Sequence, residues 1–469
     1  MELKLYNTAS RELETFSPLA PPEVKMYSCG MTVYDYAHVG HMRTYTSSDL
    51  LRRALDYAGF RVRQVMNVTD VGHLTSDEDE GEDKLEVGAQ REGRSPWEIA
   101  RDYEDHFFNT ISQINILPPH VVCRATEHIA EQIGLIERLE ERGFTYQTAA
   151  GVVFDTAKFP GYPDFAKLDL EGLEEGKRTK ADPDRRNPSD FSLWVTNKPN
   201  HLMQWDSPWG RGYPGWHIEC SAMAMHYLGE QLDIHTGGID HIPIHHTNEI
   251  AQAECATGKQ FARWWLHGAF LNIDNRKMSK SLGNYHTIET VREQGFAPLS
   301  LRYFFLGSSY RKAMNFTWEA LDSAQRGLLR LWKLCAELPA PDGETLEDPL
   351  NAFEQAIADD LNTSQALAVL WGMLDDKQES PARKARTAFI MDRILGLELA
   401  NARTCLSDHH RLSGAGQAAE MKAMELAKQR LAMRDERNFA EADRLRDKIL
   451  AMGFVVEDSP EGPRLRPVG

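Results

Sequence analysis

Val24-Lys25-Met26-Tyr27-Ser28, the motif His38-Val39-Gly40-His41, and Val62-Arg63-Gln64-Val65-Met66-Asn67-Val68 together decide the fold. The first segment reads as a short strand ending at Cys29-Gly30. From about Gly40 to Ala58 the pattern turns helical, with Tyr45, Leu51, Leu55 and Ala58 spaced along one face and Arg52 and Arg53 between them. Val62 to Val68 reads as a second strand. Strand, helix and strand in so short a span form a βαβ unit, which implies a parallel sheet with a right-handed crossover.

Further along, a second α/β stretch begins near Leu232-Asp233-Ile234-His235, passes Gly237-Gly238, and enters a helix from about His245 to Thr257. The residues between the two halves, with their turn-rich Ala181-Asp182-Pro183-Asp184-Arg185-Arg186-Asn187-Pro188, read as an insertion that splits one sheet. After about residue 320 the texture changes to long helices, such as Trp318 to Leu334 and Phe353 to Met373. A charged helical stretch from about Gln417 to Met452 ends at Gly453, a normal C-cap, and a short tail follows. The acidic run Asp77 to Asp83 has Glu82 where a calcium loop needs glycine, so it reads as a solvated loop.

Composition narrows the class without naming a function. A chain of 469 residues is too long for one ordinary core. Hydrophobic residues at 42% and charged residues at 26% suit a water-soluble globular protein. The start Met1-Glu2-Leu3-Lys4-Leu5 lacks a signal-peptide pattern, and no apolar run reaches bilayer length. A cytoplasmic location and no membrane partner are therefore expected. Six scattered cysteines do not make a disulfide framework. A net charge of -17 argues against non-specific coating of nucleic acid, while leaving room for local basic patches.

Two motifs carry chemistry. His38 and His41 flank Gly40 where a helix opens directly after a strand, and both can donate to an anion there, helped by the helix dipole and free amides. Lys277-Met278-Ser279-Lys280-Ser281, followed by Leu282-Gly283-Asn284, places two lysines on a glycine-bounded loop suited to charge developing on a leaving pyrophosphate. Each motif alone is read more simply as an ordinary histidine pair or a solvated basic turn. Here both occur in one chain, in order, separated by a second α/β half.

In these motifs the chain resembles the class I aminoacyl-tRNA synthetases, which carry a His-x-Gly-His and a Lys-Met-Ser-Lys-Ser signature. Within that class it is similar to the cysteinyl-tRNA synthetases, through Cys29-Gly30-Met31-Thr32-Val33-Tyr34-Asp35, Gly215-Trp216-His217-Ile218-Glu219-Cys220-Ser221, Arg124 to Ile129, Asp190 to Trp194 and Phe439 to Asp447. The resemblance implies one Zn2+ per chain held by Cys29, Cys220, His245 and Glu249. From the residues alone, only the one-turn spacing of His245 and Glu249 suggests a shared site, and buried structural cysteines are the simpler reading of the thiols. Two departures stand out: Thr247 replaces a usual glutamate, and Val71-Gly72-His73-Leu74 replaces the usual Ile-Asp-Asp-Lys after Asp70.

The resemblance further implies a Rossmann-type parallel-sheet catalytic domain split by an insertion, followed by an all-α helical bundle region at the C-terminal end. Its parts are expected at 1–105 and 226–275 for the two sheet halves, 106–225 for the insertion, 276–325 for the lysine loop and stem contacts, 326–410 for the bundle, and 411–469 for anticodon binding. ATP, with Mg2+, is expected on His38, Gly40, His41, Gly237, Gly238, Asp240 and Lys280, with Lys277 assisting catalysis. L-cysteine is expected on Thr69, Trp216 and His235, and tRNA on basic residues such as Lys428, Arg430, Arg434, Arg437, Arg444, Arg446 and Lys448 of a monomer. The rival reading is a zinc-dependent cysteine ligase of the mycothiol pathway, which acts on an amino sugar and lacks the tRNA-binding region.

Overall fold

A computed structural model describes residues 1–72, 85, 93–168, 184–198, 200–276, 278, 284–412, 414–435, 438–452, 454–459 and 462–467. The acidic run 77–83, the lysine pair Lys277 and Lys280, Ala181 to Pro183, His73, Leu74, Arg437 and Gly453 lie outside these residues.

Five strands form the central sheet, in the order Ala262–Gly268, Leu232–Gly238, Glu23–Ser28, Arg61–Val68 and Val121–Arg124. Every pairing is parallel, with Met26 opposite Ile234 on one side and Gln64 on the other. The strand of this sheet that comes first in the chain, Glu23–Ser28, thus sits at the centre, and chain order reverses beside it. In open α/β sheets ligands bind at the carboxyl ends of the strands next to such a reversal. The helix Val39–Tyr57 follows the central strand and buries Met42, Tyr45, Leu51, Ala54 and Leu55.

The insertion is a four-stranded antiparallel sheet, Thr145–Thr148, Gly151–Phe154, Phe191–Val195 and Tyr213–Pro214. It is shorter than the expected 106–225. Residue 105 lies inside the helix Pro96–Gln113, and Val121–Arg124 pairs with Arg61–Val68 in the main sheet. Four residues are too few to display a strand period, so the sequence pattern misses this edge strand.

One apolar cluster runs from the sheet into the C-terminal helices, joining Val24, Met26, Leu51, Ile234 and Trp264 to Leu328, Trp332, Phe353, Leu370 and Ile394. Burying each such side chain contributes roughly 1.5–3 kcal/mol. The bundle helices are Trp318–Glu337, Glu347–Ala358, Thr363–Asp375, Pro381–Leu395 and Ala402–Leu412. The single helix expected from Phe353 to Met373 is broken by Asp360 and Leu361, at φ 53° and 55°. Tertiary bonds hold the break: the Asp360 carboxylate accepts from Tyr6 N at 2.9 Å, the Tyr310 hydroxyl at 2.8 Å and Arg311 Nε at 2.6 Å.

The last helical stretch is likewise two helices, Gly414–Asp435 and Phe439–Ala451, the second capped by Asn438, which accepts from Glu441 N at 3.3 Å. The expected tail is an antiparallel hairpin, Phe454–Ser459 with Gly462–Pro467. These pieces share a small core of Ala423, Ala427, Ile449 and Phe454. Arg430 and Arg434 both pair with Asp458 of the hairpin. No helix of the described residues is long and apolar enough to cross a membrane.

Candidate active site and metal centre

Cys29 leaves the carboxyl end of the central strand, where its N–H donates to Thr236 O at 3.1 Å. Gly30 N donates to Asn67 Oδ1 at 2.8 Å, and a Cβ at Gly30 would stand 1.6 Å from Asn67 O. Only glycine allows two strand ends to meet this closely. Cys220 comes from the helix Trp216–Leu228. His245 lies in a π-helical turn, Ile242–His246, and Glu249 in the first turn of Thr247–Thr257, so the two face one another.

The ligand atoms of Cys29, Cys220, His245 and Glu249 lie within 4.8 Å of one another, and all four residues are buried. Such a group can hold a metal ion. Two sulfurs, an imidazole and a carboxylate suit a borderline-soft divalent ion. A second overlapping set, Cys29, His235, His246 and Glu249, meets the same distance.

Charge in this cluster is arranged around one carboxylate. Burial opposes the ionised form of Glu249, yet the charge of His235 and hydrogen bonds from His235 and His245 hold it at about 2. Burial also opposes charge on His245, but Cys220 and Glu249 raise it to about 10. A hydrogen bond from Cys29 draws Cys220 down to about 7, while burial and the neighbouring Cys220 push Cys29 well above its ordinary range. Of the two thiols, Cys220 is therefore the easier to ionise.

At the other corner, His38 and His41 cap their own helix. His41 N donates to His38 Nδ1 at 3.2 Å, and His38 N donates to His41 Nδ1 at 3.3 Å. The rings stack with centroids 3.6 Å apart. Burial pushes His38 down to about 4, and burial together with His38 pushes His41 well below its usual value. In both neutral rings Nδ1 is an acceptor, so Nε2 carries the hydrogen. The segment around the lysine loop meets this corner: Val39 N donates to His286 O at 2.9 Å, Tyr285 packs edge-on to His38, and Met278 Cε would lie 3.5 Å from a Cβ at Gly40.

Residues 15–326 match the family described as tRNA synthetases class I (C) catalytic domain. A protein of Burkholderia lata named Cysteine--tRNA ligase 1 is 46% identical over 99% of this chain and 97% of its own length.

The chain belongs to the cysteine–tRNA ligase family.

Proteins named Cysteine--tRNA ligase from Treponema denticola and Thermus thermophilus are 43% and 41% identical, the first over 98% of both chains and the second over 99% of both. Among solved structures, Mycobacterium tuberculosis methionyl-tRNA synthetase with methionyl-adenylate aligns with TM-score 0.54 and 17% identity over 86% of this chain and 94% of its own. An Agrobacterium radiobacter LeuRS–tRNA complex aligns with TM-score 0.54 and 13% identity over 85% and 86%. At such identities the likeness is one of fold.

Within this family member, Thr69 is buried at the end of Arg61–Val68 and accepts from Asn67 Nδ2 at 3.1 Å. The Trp216 ring lies 4.9 Å from that of His245. Asp240 follows Gly237-Gly238 and acts electrostatically on His38. A Cβ at Gly237 would stand 2.7 Å from both His241 Nδ1 and His246 Cε1, so this glycine makes room for the chain's own histidines. His235, expected to meet the amino acid, is fully buried against Trp265 and bonded to Glu249.

Sequence reading missed the depth of the histidine layer. His246 Nδ1 pairs with His267 Nε2 at 2.7 Å, His267 Nδ1 with the Thr8 hydroxyl at 2.8 Å, and His217 Nδ1 with His245 Nδ1 at 3.0 Å. Four histidines between positions 235 and 246 were the available signal.

Proposed function

We propose that the protein activates L-cysteine with ATP and transfers it to the terminal adenosine of its tRNA. The observation that carries this reading is the burial of two thiols, an imidazole and a carboxylate at the strand ends that also bear the His-x-Gly-His corner. Zinc on Cys29, Cys220, His245 and Glu249 fits the donor chemistry. When bound, it would favour a thiol substrate as its ionised sulfur, which serine's harder hydroxyl cannot match.

In the first step the cysteine carboxylate attacks the α-phosphorus of ATP and the bond to the β-phosphate breaks, giving cysteinyl-adenylate and pyrophosphate. The carboxylate is already ionised, so no general base is needed, and catalysis is positioning plus charge stabilisation. His38 and His41 donate Nε2–H to phosphate oxygens. Lys280, with Lys277, balances the pyrophosphate, which travels with Mg2+. Gly237, Gly238 and Asp240 receive the adenosine, with Gly40 giving phosphates access to the helix end. Thr69 and Trp216 face the amino acid, and His235 serves it indirectly by fixing Glu249. Residues 411–469 take the anticodon end of the tRNA and 326–410 support it, in a cytoplasmic monomer.

Cysteine-dependent ATP–pyrophosphate exchange, run beside tRNA charging, tests this reading. Exchange and charging are both expected. Exchange with transfer to an amino sugar and none to tRNA would replace it with the rival ligase.

A further inference from the structure

Tyr36 lies two residues before His38 and is 48% exposed, among the more exposed large side chains of the chain. It is nonetheless held firmly. Its ring meets Tyr103 edge-on at 5.0 Å and His106 at 4.6 Å, both on the helix Pro96–Gln113. His106 is fixed in turn by Glu289 at 2.9 Å. The Tyr36 carbonyl accepts from the Tyr285 hydroxyl, and the Tyr285 ring packs against His38 at 5.1 Å. A ring contact and one hydrogen bond to the Tyr36 backbone therefore link the phosphate corner to the segment whose ring is partly open to water.

Topology says which substrate can use it. Gly237 and Gly238 end, and Asp240 follows, the strand on one side of the central Glu23–Ser28. Tyr36 is anchored on the helix that connects the two strands on the other side, Arg61–Val68 and Val121–Arg124. With adenosine on the first side, Tyr36 flanks the entrance left to the second substrate. A rigid, partly exposed aromatic ring beside a reaction centre suits the face of an unpaired base.

We propose that Tyr36 is a stacking platform for an unpaired base at the 3′ end of the tRNA; this rests on the activity proposed above. It acts in the transfer step and not on ATP.

The test uses the full chain and Tyr36→Ala, with Tyr36→Leu as a second variant that keeps apolar contact with Tyr103 and His106 but has no ring face. Cooperative melts confirm folding. Loss of one base stack lowers kcat/KM for tRNA charging about tenfold to hundredfold in both variants, and Tyr36→Phe restores it. The KM values for ATP and cysteine in pyrophosphate exchange stay within about twofold of wild type. Unchanged charging overturns the proposal, and so does a raised KM for ATP in exchange, which would give the ring to the nucleotide. Wild-type protein without cysteine-dependent exchange would instead remove the activity itself, and Tyr36 with it.

Discussion

His235 donates Nε2–H to Oε2 of Glu249 at 2.9 Å with both side chains fully buried. Oε1 of the same carboxylate faces His245 Nε2 at 3.2 Å and the Cys29 thiol at 3.8 Å. One oxygen is committed to the protein and the other to the donor cluster. Outer partners of this kind orient metal ligands and are worth about tenfold to hundredfold in affinity. His235→Ala should weaken metal retention by that factor in a chelator competition, with His235→Gln, which keeps a donor, falling between. Equal retention in all three proteins would mean that the bond does not serve the metal.

The donor set also predicts content and linkage. Elemental analysis should find one zinc per chain in the wild type and little in Cys220→Ala. A ligand bound only by the folded state raises the melting temperature, so a strong chelator should lower the melt of the wild type and leave that of Cys220→Ala unmoved. A wild-type melt indifferent to chelation would place the metal elsewhere or remove it.

If Lys280 acts on the departing pyrophosphate as proposed, Lys280→Ala should slow adenylate formation about a hundredfold or more, with little change in cysteine affinity. Single-turnover exchange separates the two. Weak cysteine binding with normal activation at saturation would reassign the lysine.

Burial holds His38 at about 4, against 6.5 for an ordinary imidazole. As pH falls, the unfolded chain takes up this proton before the folded one does. Stability should therefore decline on acidification between those two values, and the loss should stop growing below the lower one. His38→Gln should flatten the slope of melting temperature against pH in that window. An undiminished slope would show that other groups set it.

The small core of Ala423, Ala427, Ile449 and Phe454 is separate from the large one. A chain ending at Leu412 should keep pyrophosphate exchange and lose most tRNA charging through weaker binding. Arg430 and Arg434 pair closely with Asp458, whereas Arg444, on the neighbouring helix, is 70% exposed and meets Glu441 only at 3.6 Å, so substituting Arg444 should raise KM for tRNA more than substituting Arg434. Full charging by the folded short chain would exclude this end from the RNA site.

Much of the sheet was legible because its helix and strands obey different periods. Val24 to Ser28, Gly40 to Ala58 and Val62 to Val68 fall within about a residue of the observed elements. What escaped depends on distant partners. Nothing local tells that Asp360 will collect three donors and break a helix. The pairing of His267 with His246 spans two elements. The terminal hairpin does carry a local signal, since Val455 and Val456 favour a strand and Pro460 and Gly462 favour a turn.

The reciprocal cap of His38 and His41 has a consequence for how the enzyme can fail. The imidazoles proposed above to donate to the nucleotide are the same groups that close the first turn of their helix. Fraying of that turn releases both rings at once and lets each choose either tautomer. A damaged protein therefore does not pass through a half-aligned state with one serviceable histidine. Competence at this corner is all-or-none, and the imidazole proton resonances of these two residues would register the loss of local order before any global unfolding.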